Sequence, residues 1–329
     1  MFGSAGLALS CGSKETKTTT HEKPFVNTVT GRISPDEMGF TLPHEHIIVD
    51  WKGGDGKSRE RYDPDEIYRV MLPYLYDIKE FGVQTFVDCS PQYFGRDVLV
   101  LKRLAKATGL HIVTCTGLYE KSYAPRIAFD YPLERIADMF TGEILEGIEG
   151  TGIHAGFVKI AVSNTGPVTP NDEKIVTAAC RTNKITGATI HSHTFQGTSA
   201  LTQIDILERE NVDPAAFVYM HAGFETDITF NIEAAKRGVW VEYDSIRADT
   251  SEKHLTNIRT LLDLGFENQL LLSQDRGWYT IGEAKGGNIN PYTYFPEVFV
   301  PLLKEKGLDD KLIHKLTVMN PAKACSIQA

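Results

Sequence analysis

Two histidines in the segment 41–50 have the residue type and the spacing of a metal-binding pair. The residues that follow His46 are apolar and β-branched, which predicts a strand. Because successive side chains of a strand point to opposite faces, His44 and His46 project to the same side. Neutral imidazole is a good ligand for zinc, iron and nickel, so the pair predicts part of a metal site. Two unrelated histidines on an edge strand or in a turn after Pro43 are the alternative.

Four more side chains that could bind a metal or move a proton interrupt or end apolar runs farther along the chain. Lys159 lies inside the apolar segment 155–162, and His193, His221 and Asp275 end later segments. A lysine inside an apolar strand is destabilising unless it is paired or chemically altered. The ordinary alternatives are a lysine that reaches the surface, hydrogen-bonded core histidines and a carboxylate that caps a helix. The recurrence of such residues at successive strand ends favours one shared site.

These residues must be positioned by β-rich and amphipathic segments that alternate from about residue 33 onward. The predicted strands are 40–49, 83–89, 111–116, 155–162, 188–191, 216–220, 239–243 and 269–273. The predicted helices are 64–81, 98–108, 132–146, 173–183, 200–210, 230–237, 251–264 and 294–306. Asp63 before Pro64 and an acidic first turn are typical of a helix start.

Eight strands alternating with eight helices predict an α/β fold, a TIM (β/α)8 barrel that forms a single domain over residues 31–329. Most of these strands are continuously apolar, as expected for a parallel sheet covered on both faces. An open doubly wound sheet is the competing architecture, but no G-x-G-x-x-G motif follows the first strand and no P-loop motif occurs. Because the carboxyl ends of barrel strands meet at one mouth, the six candidate side chains are expected to converge there.

The composition argues against several classes of function. A formal net charge of −9 without a Lys/Arg run indicates that nucleic acid is not a partner. No apolar run of about 18 residues predicts a membrane span. Five scattered cysteines without C-x-x-C pairing argue against a disulfide framework or a cysteine–zinc site. Cys89 and Cys115 lie in apolar runs and are expected to be buried thiols.

Residues 1–30 are interpreted as a separate leader and flexible tether. The start is small and apolar, small residues precede Cys11, and a polar run follows it. This order resembles a bacterial lipoprotein cleavage box, which predicts removal of residues 1–10, a lipid anchor on Cys11 and a location in the bacterial cell envelope. The apolar segment is short and has no basic residue ahead of it, so a disordered tail on a cytoplasmic enzyme is the alternative.

The order H-x-H, Lys, His, His and Asp along a predicted barrel resembles the phosphotriesterase family of the amidohydrolase superfamily. Four local contexts match the family as well, in segments 42–46, 82–88, 155–159 and 320–322. The resemblance spans about residues 30–326, nearly the whole chain. It implies a metal-dependent hydrolase with a small-molecule substrate, and it is much less specific for the identity of that substrate.

The resemblance also implies a centre of two divalent metal ions joined by a lysine that carbon dioxide has carboxylated. The implied ligands are His44, His46 and Asp275 for the more buried ion, His193 and His221 for the more exposed ion, and carboxylated Lys159 between them. Zinc is the expected metal, although imidazole and carboxylate ligands also accept manganese, cobalt and iron. His191 could face inward like His193, and the family's spacing from Gly187 favours His193.

Such a centre implies hydrolysis by a hydroxide shared between two ions about 3.5–4 Å apart. Asp275 would take the proton from the attacking hydroxide. Tyr119, after the third predicted strand, resembles a tyrosine that lactonase-type members place near the exposed ion, and its phenol could donate to the ester oxygen of the substrate. No covalent enzyme intermediate is required, and no G-x-S-x-G motif is present to supply one.

Three residues after the last two predicted strands are candidates for substrate contact. Arg247 and Arg276 could receive a carboxylate, sulfonate or phosphate, and surface pairing with Asp249 or Glu252 is the alternative. Trp278 begins a loop, 278–296, that is expected to form one wall of the pocket.

Three functions compete. The leading one is hydrolysis of a lactone, a carboxylic ester or an amide, and the second is hydrolysis of a phosphotriester or phosphoester. The third is a catalytically silent barrel that acts as a metal-binding lipoprotein, and the complete set of six candidate ligands argues against it. A homodimer is common in the family, but no segment of the sequence demonstrates an interface.

Overall fold

The apolar segments form short strands in a computed structural model, which describes Met1 and residues 23–54, 58–119 and 123–328. Within these residues the strands are β1 (Val26–Thr28), β2 (Gly31–Ile33), β3 (Thr41–Val49), β4 (Thr85–Asp88), β5 (His111–Val113), β6 (Cys115–Leu118), β7 (Phe157–Ala161), β8 (Ile190–His193), β9 (Phe217–Met220), β10 (Trp240–Tyr243), β11 (Leu270–Leu272) and β12 (Gly277–Thr280). Cys11 lies outside the described residues, and its lipid anchor and the leader domain stay predictions.

The amphipathic segments between the strands form helices. They are α1 (Pro64–Glu80), α2 (Val98–Thr108), α3 (Ile127–Asp130), α4 (Leu133–Leu145), α5 (Pro170–Thr186), α6 (Gly197–Arg209), α7 (Ile228–Lys236), α8 (Ser251–Asp263), α9 (Val300–Glu305), α10 (Asp310–His314) and α11 (Asn320–Ala324). Two π-helical turns, Phe295–Phe299 and Lys315–Met319, run directly into α9 and α11. No helix in the described part of the chain has the length and apolar composition to cross a membrane.

The strands close into a TIM barrel, which confirms the predicted fold. All pairs within the two larger sheets are parallel, in the orders β11-β10-β9-β8-β7-β6 and β12-β3-β4-β5. The two sheets meet at two seams of the barrel. At one seam the single residue Thr114 separates β5 from β6. At the other seam the Ser273 hydroxyl accepts from the His44 N–H at 3.1 Å, and the Asp275 N–H donates to the His44 carbonyl at 3.2 Å.

The interior of the barrel is packed with side chains, and its amino-terminal end is plugged. Val87, Val113, Phe157 and Val218 are buried in an interior cluster that also contains the free thiols of Cys89 and Cys115. Val26 from the antiparallel β1–β2 hairpin and Ala324 from α11 belong to the same cluster. Because this end is closed, a ligand reaches the interior polar groups only through the carboxyl-terminal mouth.

Several element boundaries differ from the predicted ones by a few residues. The fifth barrel strand ends at His193 rather than at 191, and the eighth is interrupted and continues as β12, which pairs with β3. Helix α5 begins at Pro170 rather than at 173, because Thr169 caps it and proline occupies the first turn. The β1–β2 hairpin and α11 are not among the predicted elements, and both pack against the barrel end.

Replacing Thr169 with alanine is expected to lower the free energy of unfolding by about 1 kcal/mol and to leave activity unchanged. The Thr169 hydroxyl accepts from the Asp172 N–H at 3.2 Å, and the Asp172 carboxylate accepts from the Thr169 N–H at 2.9 Å. Urea denaturation would measure the loss. Thr256→Ala is the matched control in the exposed interior of α8, where a change within about 0.5 kcal/mol is expected.

Candidate metal centre

Polar side chains from four barrel strands meet at the carboxyl-terminal mouth. His44 and His46 lie on β3, and His193 ends β8. His221 directly follows β9, and Asp275 lies three residues after the end of β11. The ring centroids of His44 and His221 are 4.9 Å apart, and those of His193 and His221 are 4.3 Å apart. The structure therefore brings together side chains that are separated by up to 231 positions of sequence (275 minus 44).

One group within this cluster has the composition and the size of a metal site. One ligand atom from each of His44, His46 and Asp275 lies within 4.8 Å of the others. The Asp275 Oδ1 atom is 3.4 Å from Nε2 of His46 and 3.8 Å from Nε2 of His44. Two ligands of a tetrahedral zinc ion are roughly 3.3–3.5 Å apart, given bonds of about 2.0–2.2 Å. Among the described residues, the buried Nε2 of His44 has no hydrogen-bond partner, so these donors fit one metal ion.

Hydrogen bonds to the opposite ring nitrogens leave the Nε2 atoms of both histidines free to bind a metal. Nδ1 of His44 is 2.7 Å from Oε1 of Glu242, so it donates to that carboxylate. Nδ1 of His46 is 2.8 Å from the Ser90 hydroxyl, whose own proton goes to the Ile48 carbonyl at 2.9 Å. The hydroxyl must therefore accept from His46, which places a lone pair on Nε2. Such outer partners fix the tautomer and the orientation of metal-binding histidines.

Replacing Ser90 with alanine is expected to weaken metal binding by about 10- to 100-fold, because Nδ1 of His46 loses its buried acceptor. Competition against a chromophoric chelator would measure the affinity. Ser90→Thr keeps the hydroxyl and is the matched control. An unchanged affinity in the alanine variant would mean that Ser90 does not orient His46.

His221 is oriented by an acidic residue on the seventh barrel strand. Nδ1 of His221 donates to Oδ1 of Asp244 at 2.7 Å, and its backbone N–H donates to Oδ2 at 2.8 Å. Asp244, His44 and His221 also form a group with ligand atoms within 4.8 Å. In that group the Asp244 carboxylate already accepts these hydrogen bonds, so it positions the imidazoles and leaves Nε2 of His221 available.

His193 presents Nδ1 to the candidate site, whereas the other three histidines of the site present Nε2. Nε2 of His193 is 2.8 Å from Oδ1 of Asn164, which can only accept, so the proton lies on Nε2. Nδ1 then accepts from the Tyr119 hydroxyl at 3.0 Å. Both the His193 lone pair and the Tyr119 hydroxyl therefore lie at the candidate site. The phenol ring of Tyr119 stacks on Phe94 with centroids 3.9 Å apart.

His191 also points into the barrel, but it lies deeper than His193. Its Nε2 is 3.2 Å from the Thr189 hydroxyl, which donates to the Ala324 carbonyl at the plugged end. Its ring packs against Phe157, with centroids 4.3 Å apart. Burial lowers the pKa of His191 to about 3, so the imidazole is neutral. These contacts belong to the barrel interior and favour His193 as the member of the site.

Lys159 is fully buried on β7 and directly opposite His191 in the strand register. The hydrogen bond that the structure gives its ammonium group goes to the thioether of Met220, with Nζ 2.7 Å from Sδ. A thioether is a weak acceptor and carries no charge. A buried ammonium with such a partner is costly unless it is chemically altered or neutralised by another group.

The loop that carries Asp275 is held by a carboxylate that the sequence reasoning did not single out. Glu45 is fully buried, and it accepts from the Ser273 hydroxyl at 2.8 Å and from the backbone N–H of Arg276 at 3.0 Å. Asp275 between them has a φ of 47°, which is uncommon for a residue other than glycine. Burial raises the pKa of Glu45 to about 8, although these hydrogen bonds oppose the shift.

The electrostatics of the site favour a cation at its centre. Burial and Lys159 lower the pKa of His44, but Glu242, Asp275 and Asp244 outweigh them and raise it to about 10. Burial also acts to raise the pKa of Asp275, and the neighbouring His44 and His46 nevertheless hold it well below its usual range. Burial lowers the pKa of His46 to about 4. Carboxylates that hold a proton on a buried imidazole would equally stabilise a metal ion at the same place.

The predicted substrate residues lie at different distances from this cluster. The Trp278 ring stands edge-on to His46, with centroids 6.0 Å apart. Arg276 directly follows Asp275, and its Nη2 donates to Oδ1 of Asn290 at 2.8 Å. Arg247 is exposed, and its Nε donates to Asp249 at 2.8 Å, which is the surface pairing weighed as the alternative.

The outer partners were not predicted from the sequence. They are Glu45, Ser90, Asn164, Glu242 and Asp244. A usable signal existed for two of them: Glu242 and Asp244 follow the apolar run 239–241 with the spacing of one strand face.

The chain is similar in sequence to known proteins of one family. The sequence model of the phosphotriesterase family matches residues 24–325. A phosphotriesterase homology protein of Escherichia coli (strain K12) is 27% identical over 294 residues, which cover 88% of this chain and 99% of that protein. An aryldialkylphosphatase of Saccharolobus solfataricus is 30% identical and covers 88% and 96% of the two chains. A phospho-furanose lactonase of Mycoplasmopsis synoviae (strain 53) is 28% identical and covers 92% of each.

Proposed function

Because the chain belongs to the phosphotriesterase family and is a metal-dependent hydrolase of small molecules, we propose that two metal ions serve it in cleaving a lactone, a carboxylic ester or an amide. The observation that carries the proposal is the convergence of Nε2 of His44 and Nε2 of His46 on the Asp275 carboxylate. The outer hydrogen bonds to Glu242 and Ser90 leave both nitrogens free for a metal.

In this proposal each ion has its own histidine pair. His44, His46 and Asp275 hold the first ion, and His193 and His221 hold the second. Lys159, buried beside a thioether, would be carboxylated: its amine would add to the carbon of carbon dioxide with release of a proton, and the carbamate would supply oxygen ligands to the metal centre. Two zinc ions are the proposed pair, because zinc accepts these nitrogen and oxygen ligands. When bound, the ions supply Lewis-acid polarisation of the substrate and a lowered pKa for the attacking water.

The residues of the chain account for the proton and the leaving group. Asp275 faces the two imidazoles and has a low pKa, so it is ionised and accepts the proton of the attacking water. The Tyr119 hydroxyl lies 3.0 Å from Nδ1 of His193, and when His193 binds an ion this hydroxyl would donate to the ester or lactone oxygen of the substrate instead. Phe94 fixes the Tyr119 ring by stacking, so the hydroxyl stays at the mouth.

Hydrolysis of a phosphotriester is the second candidate, because the aryldialkylphosphatase relative is 30% identical over nearly its full length. The lactonase relative and the position of Tyr119 support the carbon-centred substrates instead. Zinc content, the carbamate and a homodimer are parts of the proposal that rest on the family resemblance, and a lipid anchor on Cys11 rests on the sequence around that residue.

One experiment distinguishes the candidates. The purified protein is loaded with zinc, its metal content is determined, and a panel of small lactones, carboxylic esters and amides is compared with one aryl phosphotriester. We expect two metal ions per chain and a higher kcat/KM on at least one carbon-centred substrate. A preference for the phosphotriester would select the second candidate. Stoichiometric metal without turnover of any member would support a silent metal-binding protein.

A further inference from the structure

The guanidinium group of Arg276 has no carboxylate partner among the residues that the structure describes. Its hydrogen bond to a side chain is the one from Nη2 to Oδ1 of Asn290, at 2.8 Å. Its Nε atom is buried and has no hydrogen-bond partner among the residues that the structure describes. An orphaned buried donor of this kind costs about 1–3 kcal/mol, and more in a charged group, unless another group satisfies it.

Three other arginines of the described chain, unlike Arg276, are each paired with a carboxylate. Arg96 is paired with Glu143 at 2.6 Å, and Arg61 is paired with Asp50. Arg247, on the neighbouring loop, is paired with Asp249 at 2.8 Å. Within the described ranges, no carboxylate lies within ion-pair distance of the Arg276 side chain.

A cavity of about 260 Å³ lies beside Arg276, between the loops that follow β10 and β12. It is lined by Ala248 from the first loop and by Pro291, Thr293 and Tyr294 from the second. The Thr293 hydroxyl can donate a hydrogen bond to a ligand, whereas the Tyr294 hydroxyl is bound to the Ser251 hydroxyl at 3.0 Å. The one acidic residue in the lining is the exposed Glu297. The cavity therefore offers a cation and a neutral donor to a ligand of a few heavy atoms.

The backbone fixes Arg276 next to the metal centre. Its N–H is held by Oε2 of Glu45 at 3.0 Å, and the N–H of the preceding Asp275 is held by the His44 carbonyl at 3.2 Å. Adjacent Cα atoms are about 3.8 Å apart and an arginine side chain reaches roughly 7 Å from its Cα atom, so the Arg276 guanidinium lies within about 11 Å of the Asp275 Cα atom. That distance is spanned by a small molecule.

We infer that Arg276 and its cavity bind an anionic group of the substrate, a carboxylate, a sulfonate or a phosphate, while the bond to be cleaved lies at the metal centre. The inference rests on the proposed function and makes it more specific. A guanidinium matches the geometry of such oxyanions with two parallel hydrogen bonds, and Nε is one of the two donors that this arrangement uses. The orphaned Nε and the absence of a carboxylate partner among the described residues are both explained by a ligand of this class.

The test uses the zinc-loaded protein and matched substrates that share one hydrolysable bond. The members carry a carboxylate, a sulfonate, a phosphate or a neutral carboxamide at the far end. We expect Arg276→Gln to lower kcat/KM about 10- to 100-fold on at least one anionic member and less than about twofold on the carboxamide. Arg247→Gln is the matched control and is expected to change neither value. The anion whose rate falls most identifies the group.

A second measurement does not depend on turnover. Methanesulfonate is titrated against the zinc-loaded wild-type protein and Arg276→Gln by calorimetry, and about 10-fold weaker binding is expected in the variant. An equal loss on charged and neutral substrates, together with unchanged methanesulfonate binding, would overturn the anion site and assign Arg276 a structural role. If no substrate is cleaved but methanesulfonate binding depends on Arg276, the anion site stands and the proposed hydrolase fails.

Discussion

Replacing Lys159 with methionine is expected to lower kcat/KM by at least about 10³-fold, which corresponds to roughly 4 kcal/mol of lost transition-state stabilisation. The metal content is expected to fall from two ions per chain to one or fewer. The physical reason is that methionine cannot add carbon dioxide and offers only a weak soft donor in place of a bridging anion. Metal analysis of the dialysed variant and initial rates on the best substrate of the panel are the two measurements.

Lys159→Met is expected to fold, so that a lower rate would report on the metal centre and not on unfolding. Lys159 is fully buried and its Nζ atom contacts the sulfur of Met220, so an apolar side chain of similar length fits the surroundings. No carboxylate among the described residues forms an ion pair with Lys159, so an apolar replacement is expected to leave the free energy of unfolding of the metal-free protein unchanged or higher. Lys304→Met, at an exposed lysine paired with Asp310, is the control for lysine replacement in general.

A direct test of the carbamate accompanies the kinetics. Wild-type protein prepared with ¹³C-labelled carbon dioxide should show one carbamate carbon signal that Lys159→Met lacks. If the methionine variant kept two metal ions and the wild-type rate, the two-ion centre proposed above would be wrong. A labelled signal that persists in the variant would assign the carbamate to another amine.

Replacing Asp275 with asparagine is expected to lower kcat by about 10³-fold or more while the protein stays folded. Asparagine keeps the size of the side chain, but it removes the anion that faces Nε2 of His44 and Nε2 of His46 at 3.8 and 3.4 Å. It also removes the group proposed to accept a proton during catalysis, and general-base catalysis alone contributes about 10²- to 10⁴-fold. Steady-state kinetics at saturating zinc would measure the effect.

Asp244→Asn is the comparison variant, because its loss of kcat is expected to be smaller than that of Asp275→Asn. Asp244 accepts from Nδ1 and from the backbone N–H of His221, so its replacement should disturb the orientation of a metal-binding residue. A loss of about 10- to 100-fold, partly restored by excess zinc, is expected. The interpretation of Asp275 fails if Asp275→Asn loses no more than Asp244→Asn, or if excess zinc restores it fully.

The barrel and the identity of its polar mouth were accessible from the sequence because both depend on local periodicity. An apolar run that ends in His221 or Asp275 identifies a strand and its carboxyl end, and the two-residue spacing of His44 and His46 puts both on one face. The interruption after β11 and the early start of α5 at Pro170 shifted boundaries without changing the order of elements. The family resemblance implied how these side chains divide between two metal ions, which periodicity alone does not supply.

Two questions required the tertiary structure, because the answers depend on groups far apart in sequence. His191 and His193 have the same strand parity, and their contacts differ in depth: His191 meets the Thr189 hydroxyl near the plugged end, whereas His193 meets Tyr119 at the mouth. Arg247 and Arg276 look alike in sequence, yet one pairs with Asp249 and the other has a neutral amide partner.

The fold, and the strand face on which the polar residues lie, therefore follow from the sequence alone, because strand periodicity and apolar patterning are properties of neighbouring residues. The tertiary structure was needed to show which nitrogen of each histidine is available to a metal ion. It was also needed to show which arginine lacks a carboxylate partner among the described residues. Nδ1 of His44 is fixed by Glu242, 198 residues away, and that contact exists only because the barrel closes between its first and last strands.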